Sequence, residues 1–180
     1  MTGTLSTLVL VIIVFVPMLI EARRAAVNER AQRRRGGVQP DADVAVYRSM
    51  QVAYPGAFAA MIGEHLWNGA SPTALAVAGA ALFVASKGLK WWAILTLSTS
   101  WTFRVIVVPG EPLVGRGPYR FVRHPNYVAV AGELVGVGLM TSAAVSGPLA
   151  VVLFGVLLKR RISVEEKALA SSTRHPPCSL

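Results

Sequence analysis

The densest group of residues able to do chemistry runs from Glu111 through Pro112, Leu113, Val114, Gly115, Arg116, Gly117, Pro118 and Tyr119 to Arg120, Phe121, Val122, Arg123, His124, Pro125, Asn126 and Tyr127. Gly115 and Gly117 let a backbone approach a ligand closely. Tyr119 and Tyr127 offer aromatic faces that suit an adenine ring or, by cation–π attraction, a sulfonium. Arg120, Arg123 and His124 suit a carboxylate or phosphate, and Asn126 stands at the start of a predicted helix. A basic loop flanking a membrane segment is the plainer reading of the same residues. A second polar group, Lys159 to Leu169, places Glu165 four residues after Arg161, on one helical face. A stop-transfer cluster accounts for Lys159, Arg160 and Arg161 but not for the adjacent carboxylates Glu165 and Glu166.

Three further ionisable residues, Glu64, His65 and Glu133, lie within apolar stretches, where such groups are costly and suggest function. Interfacial solvation explains Glu64 and His65 equally well. The histidines are scattered, and no cluster of Cys, Asp or Glu supports a metal site. The lone cysteine, Cys178, excludes a disulfide framework.

The elements that must position these groups follow from composition. The 180 residues are 53% hydrophobic and 15% charged, with mean hydropathy +0.52, net charge +9 and pI near 10.6. Such a chain is not disordered, which leaves a basic nucleic-acid binder or a membrane protein. Five stretches are apolar, predicting spans at about 5–21, 52–68, 72–87, 127–141 and 147–158. The first lacks the preceding basic residues of a signal peptide, which predicts a retained span. Of the 18 Lys and Arg residues, seven lie in 22–51, six in 87–126 and five in 159–180, and the two remaining loops hold none. With five crossings all basic residues fall on one side, which the positive-inside rule assigns to the cytoplasm, with the N-terminus outside. This alternation argues against nucleic acid as the partner and for the lipid bilayer. Tyr127 to Leu158 covers 32 residues, about 48 Å of helix, too few for two ordinary crossings. A short helical hairpin turning near Thr141–Pro148 is expected. Lys87 to Leu97 is helical in pattern, and Arg33 to Gly37 ends the first helix. The expected fold is an all-α integral membrane protein of about five transmembrane helices, the last two a short hairpin. A cytoplasmic cofactor-binding loop and a C-terminal helix complete it.

The loop Leu113-Val114, Gly117-Pro118-Tyr119 and Arg123-His124-Pro125-Asn126-Tyr127, followed by Arg161, Glu165-Glu166 and Leu169, resembles the isoprenylcysteine carboxyl methyltransferase family over about residues 87–169. It also resembles that family's bacterial branch associated with type III polyketide synthases. The resemblance implies a small membrane enzyme using S-adenosyl-L-methionine, bound by segments at about 104–127 and 159–169. Cofactor contacts are implied at Arg104, Glu111, Pro112, Leu113, Val114, Tyr119, His124, Pro125, Asn126, Tyr127 and Glu165, and a substrate-facing role at Arg161. A glycine frequent in the family two residues after the motif tyrosine is Ala129 here. The acceptor is expected to be lipophilic: a prenylated carboxylate, or a long-chain polyketide enol or phenol. A phenol would benefit from a general base, for which Glu133 is the candidate. The alternatives are a phospholipid-type N-methyltransferase, and a non-enzymatic scaffold or small transporter subunit whose path Glu64, His65 and Glu133 would line.

Overall fold

The computed structural model describes residues 2–69, 74–112 and 114–174. Five α-helices follow in order: α1 Thr2–Arg34, α2 Asp41–Asn68, α3 Ala74–Leu97, α4 Pro125–Met140 and α5 Ser146–Arg174. Two 3-10 turns, Ser98–Ser100 and Gly117–Arg120, interrupt the long α3–α4 connection. Among the described residues the one β-bridge pairs Val38 with Val107, tying the α1–α2 turn to that connection. Local chemistry sets the ends. Asp41 and Asp43 in the first turn of α2 complement the helix dipole. At its other end Gly69, left-handed with φ 59°, returns its N–H to the His65 carbonyl. Pro125 occupies the first turn of α4, where a missing N–H costs nothing.

Glycines bring α3 and α4 together. A Cβ on Gly79 would lie 2.6 Å from the Gly136 carbonyl oxygen, and one on Gly132 would lie 2.2 Å from the Ser86 hydroxyl. Apolar burial does little to join helices in lipid, so close backbone approach through small residues is the effective substitute. Helices α4 and α5 form the expected hairpin, with Gly138 packed on Gly147. Glu64 from α2 closes its turn by accepting the N–H groups of Val145 at 3.0 Å and Ser146 at 2.7 Å. His65 Nδ1 lies 3.0 Å from the Thr141 carbonyl oxygen. Val14, Phe58, Met61, Phe83, Leu134 and Phe154 fill the centre where the five helices meet. Outside it Leu8, Ile12, Ile13, Leu19, Val84 and Val152 are exposed, an apolar surface suited to lipid.

Two helical stretches, 6–34 and 74–100, are long and apolar enough to cross a membrane. With its 16 residues α4 reaches about 24 Å, short of a ~30 Å hydrocarbon core. Within the described residues each expected apolar stretch falls in a single helix except at Thr141, which follows α4, and four helices outrun theirs, α2 by starting at Asp41 and α5 by running on to Arg174. From the apolar stretch ending near Glu21, α1 continues to Arg34, and α3 passes Lys87 to end at Leu97. Charge does not stop α1 or α3: Arg23, Arg30, Arg33 and Arg34 stay exposed along α1, while Glu21, Lys87 and Lys90 turn inward and find each other. Glu21 pairs with Lys87 at 2.9 Å and Lys90 at 2.8 Å, and Glu133 pairs with Lys87 at 2.9 Å and Lys90 at 3.3 Å. The Tyr54 hydroxyl donates to Glu133. This buried quartet joins α1, α3 and α4, with α2 contributing the phenol. Lys87 and Lys90 therefore do not belong with the basic residues of a cytoplasmic loop.

Candidate active site

The α3–α4 connection passes in front of the first turn of α2 and the polar end of α5. Gly117 adopts φ 60° and lies against α3, where a Cβ would come within 2.4 Å of the Thr96 hydroxyl. Its freedom thus seats the loop on α3, while Gly115 borders open space. From that seat the chain turns through Tyr119 and enters α4 at Pro125.

The two polar motifs meet at Tyr127. Its hydroxyl donates to Glu165 Oε2 at 2.5 Å and accepts from Arg161 Nε at 3.4 Å. The His124 ring stacks on the Tyr127 ring, with centroids 5.4 Å apart and planes 20° from parallel. His124 also stands 3.9 Å from Glu165 and 3.5 Å from Glu166. Tyr119 lies close enough to Glu165 for that carboxylate, after burial, to help hold its hydroxyl well above the usual tyrosine range. Pro125 is buried beneath this group. Beside it, the buried Asn126 Oδ1 has no hydrogen-bond donor among the described residues.

Arg161 is embedded rather than presented. Its guanidinium donates to Asp43 and to the Phe103 carbonyl as well as to Tyr127. Only 5% of its side chain is exposed. Burial pulls its pKa down to about 10, opposed by the Glu165 carboxylate, so it stays cationic at neutral pH. Asp43 is itself fully buried and accepts from Gln39 Nε2 at 2.8 Å and the Val105 N–H at 3.1 Å.

The remaining predicted residues lie at the margin. Arg104 pairs with Glu29 at 3.1 Å, donates to Gln39 at 3.2 Å and stacks over Tyr47 at 4.3 Å. Glu111 takes a hydrogen bond from Ser100 at 2.8 Å and pairs with Arg35 at 3.2 Å. Pro112 is exposed and Val114 half-buried, and Leu113 lies outside the described residues. Glu133 shares no hydrogen bond or ion pair with Tyr127, Arg161 or Glu165; its carboxylate belongs to the quartet. Nor do Glu64, His65 and Glu133 line one path, because the first two hold the α4–α5 turn. Among the described residues no group of three His, Cys, Asp or Glu is placed to hold a metal ion.

Sequence reading missed Asp43, Glu21, Lys87 and Lys90. The spacing of three between Lys87 and Lys90, which puts both on one face of α3, is a signal that could have found the pair.

The family model described as "Isoprenylcysteine carboxyl methyltransferase (ICMT) family" matches residues 79–171, more than half of the chain. The chain belongs to this family. That membership places it among membrane methyltransferases. An uncharacterized Bacillus subtilis (strain 168) protein, YpbQ, is 30% identical over 161 residues, covering 89% of this chain and 94% of its own. An uncharacterized protein of Haemophilus influenzae (strain ATCC 51907 / DSM 11121 / KW20 / Rd) is 26% identical over 93 residues, covering 51% of this chain and 54% of its own. No solved structure matches the chain. The family match includes Tyr127, Arg161 and Glu165 and excludes Asp43 and Glu21.

Proposed function

We propose that the protein transfers a methyl group from S-adenosyl-L-methionine to an oxygen of a lipophilic acceptor at the cytoplasmic membrane face. The observation that carries this reading is the junction of the two motifs, the 2.5 Å hydrogen bond from Tyr127 to Glu165. Around it the residues suit such a donor. Tyr119, Tyr127 and His124 offer ring faces near one carboxylate, and the Asn126 oxygen is a buried acceptor with no donor among the described residues. The Glu165 and Glu166 carboxylates stand at the exposed end of this group, 30% and 53% exposed, and negative charge there favours a cation.

When bound, S-adenosylmethionine supplies an electrophilic methyl on a positively charged sulfur, so the protein has mainly to align and desolvate. Glu165 and Tyr127 would hold the donor's polar groups, and the aromatic faces would suit its cation. A carboxylate acceptor is already ionised at neutral pH, and an acidic enol nearly so; neither needs a base. Glu133 we assign to the scaffold, because two ammonium groups and a phenol engage its carboxylate.

The purified protein in detergent should bind S-adenosylmethionine saturably; the absence of saturation would end this reading. Membranes given methyl-labelled donor should then label a lipid, with a farnesylated cysteine analogue and an alkylpyrone compared as acceptors. Label on a lipid amine instead would move the protein to the phospholipid-type N-methyltransferases.

A further inference from the structure

We propose that Asp43, which lies outside the family-matched region, is a positioning residue that sets the orientation of the Tyr127 phenol through Arg161. This rests on the methyltransferase reading above.

Asp43 stands in the first turn of α2, fully buried, and one of its carboxylate oxygens faces Arg161. The other takes Gln39 Nε2 and the Val105 N–H, so the carboxylate is fixed from three directions. Arg161 then has two of its three nitrogens committed, one to Asp43 and one to the Phe103 carbonyl. A planar guanidinium held at two nitrogens cannot rotate, and this aims the third, Nε, at the Tyr127 hydroxyl 3.4 Å away. Accepting from Nε leaves that hydroxyl one direction in which to donate, which is toward Glu165. A residue on α2 thereby fixes a ring on α4 that it does not touch. The groups facing Arg161 are Asp43 from α2, the Phe103 carbonyl from the α3–α4 connection, Tyr127 from α4 and Glu165 from its own helix. No other carboxylate pairs with it among the described residues.

The test is a double-mutant cycle between Asp43 and Tyr127, read in the dissociation constant for S-adenosylmethionine by calorimetry and in the rate of methyl transfer. Asp43→Asn and Tyr127→Phe should each weaken donor binding about tenfold. Together they should weaken it little more than either alone, because Asp43→Asn has nothing left to misplace once the hydroxyl is gone. Multiplying losses, near a hundredfold for the pair, would overturn the proposal, as would unchanged binding in Asp43→Asn. Asp43→Glu keeps the buried charge but displaces the guanidinium. The cycle run with it gives the same answer where Asp43→Asn lowers the yield of folded protein. A wild-type protein that binds no donor would remove the methyltransferase reading, and this proposal with it. Saturable wild-type binding with multiplying losses would remove this proposal alone.

Discussion

Two ionic clusters in this protein pair carboxylates with cations to opposite ends. In the quartet of Glu21, Lys87, Lys90 and Glu133, two carboxylates face two ammonium groups and the charges cancel. Lys87 is its most exposed side chain, at 13%. In the chain from Asp43 through Arg161, Tyr127 and Glu165 to Glu166, exposure instead climbs from 0% at Asp43 to 53% at Glu166. Three carboxylates there share one guanidinium, with the His124 ring beside two of them. A closed cluster has no net charge to offer a ligand, and its contribution is to hold helices together where apolar burial cannot. An open one, rigid at its buried end and wet at the other, is what a binding site needs. Burial of charge alone thus does not distinguish the two clusters; the gradient from buried support to exposed carboxylates does.

The largest effect should come from breaking the closed cluster. Lys90→Ala leaves two buried carboxylates sharing one ammonium, and removing one partner of such a group costs about 3–5 kcal/mol. Thermal unfolding in detergent should show a large fall in melting temperature, while the folded fraction still binds donor normally. Lys90→Met combined with Glu133→Leu removes one charge of each sign and should recover most of the loss. A melting temperature unchanged in Lys90→Ala would mean that the quartet does not hold the bundle.

Glu133→Gln is the next largest, at about 1–3 kcal/mol, since it keeps the shape and removes one buried charge-assisted partner. It also separates the two clusters by role. Methyl transfer to a phenolic and to a carboxylate acceptor should fall by the same factor, following the folded fraction. Selective loss with the phenol would restore Glu133 as a general base and bring the quartet into the chemistry.

Glu165→Gln tests the open cluster. The side chain is 30% exposed, so the melting temperature should move little. The amide still accepts from Tyr127 but carries no charge, and donor binding should weaken about tenfold, or about 1.4 kcal/mol. Large destabilisation with unaltered donor affinity would make both clusters scaffolding.

The sequence made the open cluster easier to see than the closed one. Tyr127 and Glu165 stand in two compact motifs at the ends of the last two apolar stretches, and helix geometry puts Glu165 on the face of Arg161. The hairpin was legible from its length, because a stretch too short for two crossings has to turn early. Lys87 and Lys90 were not, since hydropathy assigns every lysine to water. Their burial depends on Glu21, some seventy residues earlier, and Glu133, some forty later. Asp43 sits in the most hydrophilic stretch of the chain, where it reads as a residue favouring a helix start. Nothing local shows that α5 carries an arginine back to it. Glu64 and His65 were noticed as misplaced polar residues, but the N–H and C=O groups they satisfy belong to a turn some eighty residues on.

The smallest effect concerns where the open cluster stops. Glu111 shares the loop of Tyr119 and Tyr127, yet its carboxylate turns to Arg35 and Ser100. The Arg35 and Glu111 side chains are 43% and 31% exposed. An exposed pair of this kind contributes at most about 1 kcal/mol, and Glu111→Gln still accepts from Ser100. The expected outcome is a stability change within about 0.5 kcal/mol and a donor dissociation constant within twofold of wild type, the usual range for surface substitutions. Tenfold weaker binding would extend the open cluster along the loop to Glu111 and make Arg35 a gatekeeper of its charge. Unchanged binding would end the site at Tyr119, leaving Glu111 to fasten the loop to the end of α1.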